Sequence, residues 1–487
     1  MTRNRWALVA VALATFMTYL DNNIVNVAIP DIQRELGLST AGIEWVVSAY
    51  ILPFAGLLLV GGRLADAFGR RRLFIIGLAV FTASSLLAGF ADGASALIAA
   101  RALQGIGAAA VTPTTLAIIS ATFTDPRERN AAVGIWGGVG ALALAVGPVL
   151  GGFLTQHVSW EWIFWINVPV GIGTIALGAW AIRESREDEA RSFDLAGLVL
   201  STTSLFTLTW ALIEGHDRGW TSAGILGAFA VAAATALAFV RVERRVEQPM
   251  VDVSLFARRE FTGGIVALML WAFGLFGIYF FTSLYLQGVL GFSPTKAGTA
   301  FVPMAVLMAV SAVVSDRVAA RFGAYRSTAF GMVAMGLGIA STALLGADAT
   351  FLSLMPSFAV IGIGGGLTIP LTATVLGVMP TGQAGVASAV FNASREVAGL
   401  LGITVIGAVL TARQATLLTA GETPTDAFLG GYQAGLLLAA GLVALGGVAA
   451  FVGLRRADRD AEPAAAAEVS RGRHAAPDID EPAFATS

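Results

Sequence analysis

Apolar runs of membrane length recur along the whole chain, separated by short polar or charged stretches. Fourteen of them lie near 6–29, 43–62, 74–91, 95–119, 132–155, 160–182, 193–213, 221–240, 261–287, 297–316, 327–346, 351–377, 386–411 and 431–453. Each holds roughly 18–25 residues, the length a helix needs to cross hydrocarbon. The pattern predicts an all-α polytopic membrane protein with fourteen transmembrane helices. The weakest divisions are ALIEGHDRGW, which separates the seventh and eighth spans, and the long run at 386–411.

The positive charges fit this count. With the N-terminus on the cytoplasmic side, the inner segments hold 22 arginines, whereas the outer loops hold only Arg34, Arg218, Lys296 and Arg413. Arginine and lysine favour cytoplasmic loops, so the asymmetry predicts both termini in the cytoplasm. Losing one span would put the later loops on the wrong sides.

Composition narrows the function classes. The 487 residues are 56% hydrophobic and 13% charged, where a soluble domain averages about 25% charged. There is no cysteine, which excludes a disulfide frame, a thiolate nucleophile and a cysteine metal site. The three histidines, His157, His216 and His474, form no cluster, so no metal is expected. Lys296 is the only lysine and follows no glycine-rich phosphate loop, so ATP is not the expected energy source and no cofactor is implied. The first apolar run lacks a small-residue cleavage site and carries polar groups, so it reads as a retained span. Arginine outnumbers lysine 29 to 1 amid abundant alanine and glycine, which hints at a GC-rich bacterial genome.

The chain repeats internally. RALQGIGAAAVTP (101–113) aligns with FAVIGIGGGLTIP (358–370), and AFGRRR (67–72) with RFGAYR (321–326), at nearly one offset. The fourth span thus corresponds to the twelfth, and the first six to the last six. The expected organisation is a six-helix bundle over 1–182, a two-helix insert over 183–259 and a second six-helix bundle over 260–456. The Ala/Pro-rich polar tail, 457–487, is expected to be a disordered cytoplasmic segment. Duplicated bundles with a site between the halves are the architecture of secondary transporters.

Ionisable groups inside spans are costly, so they mark candidate chemistry. YLDNNIVNVAIP (19–30) places Asp21, Asn22, Asn23 and Asn26 in membrane-grade surroundings. Asp21 lies roughly 13 Å and Arg101 roughly 9 Å below the outer face, at 1.5 Å rise per residue. An acid and a base at similar depth suggest proton coupling, with Asp21 taking and releasing the proton under the influence of Arg101. The alternative is a structural ion pair. Thr15, Thr18, Asn22 and Asn26 extend polarity along the same helix and favour the functional reading. Arg395–Glu396 gives the second half its own buried acid. Glu396 reads as a second proton-coupling site, as the counter-charge of a cationic substrate, or as a local partner of Arg395, although helix neighbours do not face each other. The aromatic stretch WAFGLFGIYFFTSLY (271–285) either packs or lines a pocket. The candidate substrate pocket is Asn22, Asn26, Gln104, Trp271, Tyr279, Phe280 and Arg395. In GRLADAFGRRRL (62–73), Gly62, Asp66, Gly69, Arg70 and Arg71 suggest a conformational latch, against the plainer reading of a positive inner loop. In GGVGALALAVGPVLGG (137–152), Gly147, Pro148, Gly151 and Gly152 allow close helix contact. His157 and His216 read as incidental outer-loop residues.

These motifs together resemble the major facilitator superfamily, and within it the fourteen-span drug:proton antiporters of the EmrB/QacA type. The resemblance spans about 6–453. LDNNIVNVAIP resembles the first-span motif, GRLADAFGRRRL the loop motif after the second span, RALQGIG the fourth-span motif, and WIFWINVPVG (162–171) is typical of the group. GPVLGG resembles the fifth-span motif associated with antiport. Three departures stand out. Asn23 replaces a commoner threonine, Glu161 replaces an expected arginine, and Arg395–Glu396 replaces a frequent Arg–Gln. The resemblance implies a proton-driven exporter of a hydrophobic drug or antibiotic in the bacterial cytoplasmic membrane. Its implied partners are a small hydrophobic substrate, neutral or cationic, together with protons and membrane lipid. Nucleic acid is not expected, a monomer is, and catalysis is not. Export of an endogenous metabolite or lipid, or proton symport, are the competing readings; the fifth-span glycines speak against symport.

Overall fold

The structure, a computed structural model, describes residues 3–186, 194–247, 249–377 and 384–474. Arg191 and the tail beyond His474 lie outside them. Every regular element described is helical.

The first half contains α1 (Arg3–Leu36), α2 (Thr40–Phe68), α3 (Arg70–Ala88), α4 (Ala94–Thr122), α5 (Pro126–His157), the short α6 (Trp162–Trp165) and α7 (Asn167–Ala181). The insert is the pair α8 (Leu195–Arg218) and α9 (Ala223–Glu243). The second half contains α10 (Arg259–Leu284) with a π-turn to Val289, α11 (Pro294–Ala300), α12 (Val302–Phe322), α13 (Ala324–Ala343), α14 (Phe351–Gly366), α15 (Pro370–Gly377), α16 (Ala384–Thr419) and α17 (Pro424–His474). Three spans are split, at Ile166, at Phe301 just before Val302–Pro303, and before Pro370. Proline has no N–H to continue the helical ladder, which accounts for the last two breaks.

Thirteen of the described spans are long and apolar enough to cross a membrane. The fourteenth, α13, matches them in length but is diluted by Arg326, Ser327, Thr328 and three glycines. It packs along α17 and α14 within the second half. Helix starts follow local chemistry. Ser39, Asp125, Asp194, Ser222 and Ser293 each accept a bond from a backbone N–H of the first turn. Thr350 and Ser353 form a reciprocal capping box.

The tail departs from expectation. Helix α17 continues to His474, through the AEPAAAAEV stretch expected to be disordered. Alanine and glutamate are strong helix formers, which explains the extension.

The repeat read in the sequence is built into the packing. A side chain at Gly105 would run into the Tyr50 carbonyl, and one at Gly362 into the Met304 carbonyl. Gly107 likewise faces Gly77 and Phe81, and Gly364 faces Gly331 and Met335. The duplicated glycines therefore seat α4 and α14 against corresponding helices of their own halves. Gly69 and Gly323, at φ 105° and 90°, make the corresponding turns into α3 and α13.

The insert is peripheral. Only 22% of the apolar window of α8 and 11% of that of α9 is buried, so most of their surface suits lipid rather than protein. Helices α8 and α9 pack on each other, and α8 also touches α2 and α16.

The hydrogen bonds described between the two halves lie from mid-bundle to the end that carries the α1–α2 turn. Gln287 Nε2 donates to the Val27 carbonyl at 2.8 Å, and the Thr295 N–H donates to Gln156 Oε1 at 3.1 Å. Side chains at Gly152 and Gly298 would collide with the carbonyls of Pro294 and Pro148. The fifth-span glycines thus let α5 and α11 meet at this end.

Candidate functional site

Asp21 and Arg101 form an ion pair across α1 and α4, both fully buried. A buried pair is stabilised when its remaining polar atoms are also bonded, and here all but Arg101 Nη2, which is buried without a partner, are. Gln104 Nε2 donates to Asp21 Oδ1 at 3.0 Å, and Asn167 Nδ2 donates to the same oxygen at 2.9 Å. Arg101 Nη1 also donates to Gln104 Oε1 at 2.9 Å, and its Nε to the Val46 carbonyl at 3.3 Å. The guanidinium lies over the Tyr50 ring, 4.4 Å from its centroid, and within 5.7 Å of Phe164. Cation–π contact strengthens where water is absent. Asn167 is fixed by Ser85, which in turn donates to the Phe164 carbonyl at 2.8 Å. The whole cluster belongs to the first half.

A separate cavity of about 590 Å³ lies between the halves. Its walls come from α1, α2, α5, α10 and α16. Tyr19, Asn22, Asn23 and Asn26 form one of them, at the i, i+3, i+4, i+7 spacing of a single helix face. Trp271, Phe276 and Tyr279 form the aromatic wall opposite. The Tyr279 ring is stacked on Phe301, 5.0 Å between centroids. Arg395 and Glu396 contribute the charge.

Asn22, Asn26, Trp271, Tyr279 and Arg395 thus line the cavity, but two expected pocket residues do not. Gln104 turns into the Asp21 cluster, because it lies one turn from Arg101 on the same face of α4. Phe280 is fully buried, packed edge-on against Phe281 with 4.7 Å between centroids. One position along a helix rotates a side chain by roughly 100°, which separates Tyr279 from Phe280. Asp21 also does not share a polar stripe with the cavity asparagines. It faces α4 while they face the cavity, and Thr15 and Thr18 bond back to the carbonyls of Val11 and Ala14.

Arg395 and Glu396 do face each other, against the neighbour rule. The long arginine side chain folds back, so its Nη2 donates to Glu396 Oε1 at 2.7 Å and to the Tyr19 hydroxyl at 3.1 Å. Glu396 Oε2 is buried without a partner. Tyr19 therefore ties α16 to the α1 helix that carries Asp21.

In the α2–α3 loop, Arg70 donates to Asp66 at 2.8 Å. Glu184, not foreseen from the sequence, accepts from the backbone N–H groups of Arg71 and Arg72 at 3.1 and 3.2 Å, stabilising the N-terminus of α3. The partners described for Arg70 to Arg72 lie at Asp66, in α7 and in the segment following it, while Arg63 donates to the Pro249 carbonyl in the linker before α10. Gly147 and Gly151 press α5 against Asn23 and Ile24 of α1, while Gly152 meets α11. His157 and His216 occupy the last turns of α5 and α8 rather than free loops. At the departure noted at 161, Glu161 Oε2 is buried and unpartnered, and the neighbouring Trp160 bonds Glu35 at 2.9 Å instead.

Two residues of the cluster, Asn167 and Ser85, were not among the sequence candidates. Asn167 was visible as a single amide inside WIFWINVPVG. Ser85 carried no distinguishing signal, since small hydroxyls are common in membrane helices.

Two duplicated helical halves, a cavity between them and a buried ion pair beside it define a multi-pass membrane transporter of the secondary type. The sequence profile of the Major Facilitator Superfamily matches residues 11–403, and the chain belongs to that family. It is 35% identical over 480 residues to the puromycin resistance protein of Streptomyces alboniger, covering 97% of this chain and 95% of that protein. It is 35% identical over 408 residues to the tetracenomycin C resistance and export protein of Streptomyces glaucescens, covering 83% and 76%. The multidrug efflux pump LfrA of Mycolicibacterium smegmatis is 35% identical over 426 residues, covering 87% and 84%. Among solved structures, an inward-facing bacterial homologue of the human lysosomal transporter Spinster superposes with a TM-score of 0.65 at 16% identity, covering 94% and 98%. That likeness concerns the fold alone.

Proposed function

We propose that this protein is a proton-coupled antiporter that exports small hydrophobic drugs or antibiotics across the bacterial cytoplasmic membrane by alternating access. The observation that carries the reading is the placement of two polar sites on opposite faces of α1. One face holds Asp21 against Arg101; the other lines an aromatic-walled cavity between the halves. The puromycin relative is a resistance protein and the tetracenomycin relative a resistance and export protein, both of similar length, which supports an antibiotic as substrate.

In this reading both termini are cytoplasmic, as the arginine distribution predicts. The closed end is then the outer one, and the cavity loads from inside. Protonating Asp21 removes its half of the ion pair and frees Arg101 for Gln104, Val46 and the Tyr50 ring. Helix α1 can then shift against α4. Substrate acts on the same helix from its other side, so proton and drug compete through the position of α1 rather than for one pocket. The contacts of α5 with α1 and α11 would transmit that shift to the outer closure, and the Asp66–Arg70 pair would serve as an inner latch. The energy suffices: each charge moved through 100 mV supplies about 2.3 kcal/mol, and each pH unit about 1.4 kcal/mol. The chain acts as a monomer and performs no catalysis.

The test is substrate-induced proton movement in inside-out vesicles with an imposed pH gradient. Puromycin, ethidium or another hydrophobic drug should collapse the gradient with wild-type protein and not with Asp21→Asn. Equal collapse by Asp21→Asn would assign Asp21 a structural role. No response of wild type to any drug would favour a dedicated exporter of an endogenous metabolite.

A further inference from the structure

A second cavity, of about 630 Å³, lies where α2, α8 and α16 meet. The first half, the insert and the second half each give it a wall. Ser39 and Thr40 line it, so it sits at the end of the bundle that carries the α1–α2 turn.

Glu44 is the residue that demands explanation. It is 2% exposed, it lines this cavity, and no hydrogen-bond or ion-pair partner is described for it. The facing helix makes room for its carboxyl group, because a side chain at Gly407 would run into the Glu44 carboxyl oxygens. Asp217 and His216, exposed in the last turn of α8, line the same cavity. Among the described residues no arginine or lysine lines it. The other walls are apolar at Leu212, Ile213, Ala408 and Leu418, with Thr411 and Gln414 as polar neighbours.

A buried carboxylate without a counter-charge is costly, and a second acid nearby adds to the cost. A positive ligand would remove it. The described residues hold no group of three or more side chains placed to ligate a metal ion. The apolar walls suit carbon rather than a bare ion. The central cavity differs, because Arg395 already stands beside its acid there.

We infer that this cavity is a second binding site, for an amphipathic organic cation, with Glu44 as the buried counter-charge and Asp217 at the mouth. The inference rests on reading the chain as an exporter of hydrophobic compounds, and it assigns the cationic ones a site apart from the central cavity. On the proposed topology the site is an outer station, passed after the central cavity. It also gives the two-helix insert a task, since α8 supplies Asp217.

Equilibrium binding of tetraphenylphosphonium to the full-length protein in lipid nanodiscs tests it, with neutral triphenylphosphine oxide as control. Glu44→Gln should weaken cation binding at this site about tenfold and leave the neutral compound unaffected. Asp217→Asn, at an exposed position that does not endanger folding, should weaken it about threefold. Glu396→Gln should leave the site intact. The proposal is overturned if neither Glu44→Gln nor Asp217→Asn changes the amount or affinity of bound cation. It is equally overturned if the cation and the neutral compound are lost in parallel. Asp21→Asn separates the two readings: Glu44-dependent binding that persists while no protein shows proton-coupled transport counts against the exporter reading alone.

Discussion

The two halves handle a buried acid in opposite ways. In the first half, Asp21 draws partners from α4 and α7, and its cation is shared with α2 and two aromatic rings. In the second half, Glu396 pairs with the residue beside it in sequence and keeps one buried oxygen without a partner, at the wall of a cavity. Changing the charge of Asp21 must therefore loosen contacts between helices. Changing the charge of Glu396, or placing a cation against it, requires only that Arg395 swing. The first arrangement is suited to driving conformational change and the second to recognising a ligand, although in the sequence both are legible only as an acid and a base in apolar runs.

The comparison breaks most severely at Arg101. Arg101→Ala leaves Asp21 buried without its cation, which should destabilise the first half by about 3–5 kcal/mol. Thermal unfolding in detergent would show it, and an unchanged melting temperature would mean that Asp21 is already held neutral. Asn167→Ala removes one donor from Asp21 and one from Ser85, and should cost about 1–3 kcal/mol. The corresponding cut in the second half, Glu396→Gln, should leave the melting temperature nearly unchanged. Its effect should appear in binding, as a loss of about 1.4 kcal/mol, or tenfold, for cations at the central cavity. Equal losses of cationic and neutral drugs would remove charge recognition from Glu396. The smallest effect is expected at the partly exposed latch, where Asp66→Asn should alter stability by no more than about 1 kcal/mol. A change in transport rate larger than that stability change would mark the latch as conformational.

What could be read early was whatever a charge reports by its mere presence. Asp21, Arg101 and Glu396 stand out because hydrocarbon makes each of them expensive. Asn167 and Ser85 do not, because amides and hydroxyls occur in membrane helices for packing alone. Glu184 and Glu44 were hidden for another reason. Glutamates near span ends look like ordinary solvent-facing residues until the helices packed against them are known. Gln104 went to the wrong site because its chemistry suits both, and only the rotation of α4 decides between them.

The sequence by itself determined that the chain is a polytopic bundle of membrane-length helices and where its repeated glycines lie. Hydropathy over some twenty residues is a local property, and the repeated glycines mark close helix crossings wherever the chain folds. It also determined that an acid and a base share the first half. The tertiary structure alone decided that α1 presents Asp21 to one neighbour and its asparagines to a cavity. It alone decided that Arg395 turns back to Glu396, and that Glu44 of α2 meets Gly407 of α16 beside the insert. Partnership depends on how each helix is rotated and on which distant segment lies against it, and neither is written in any single stretch of sequence.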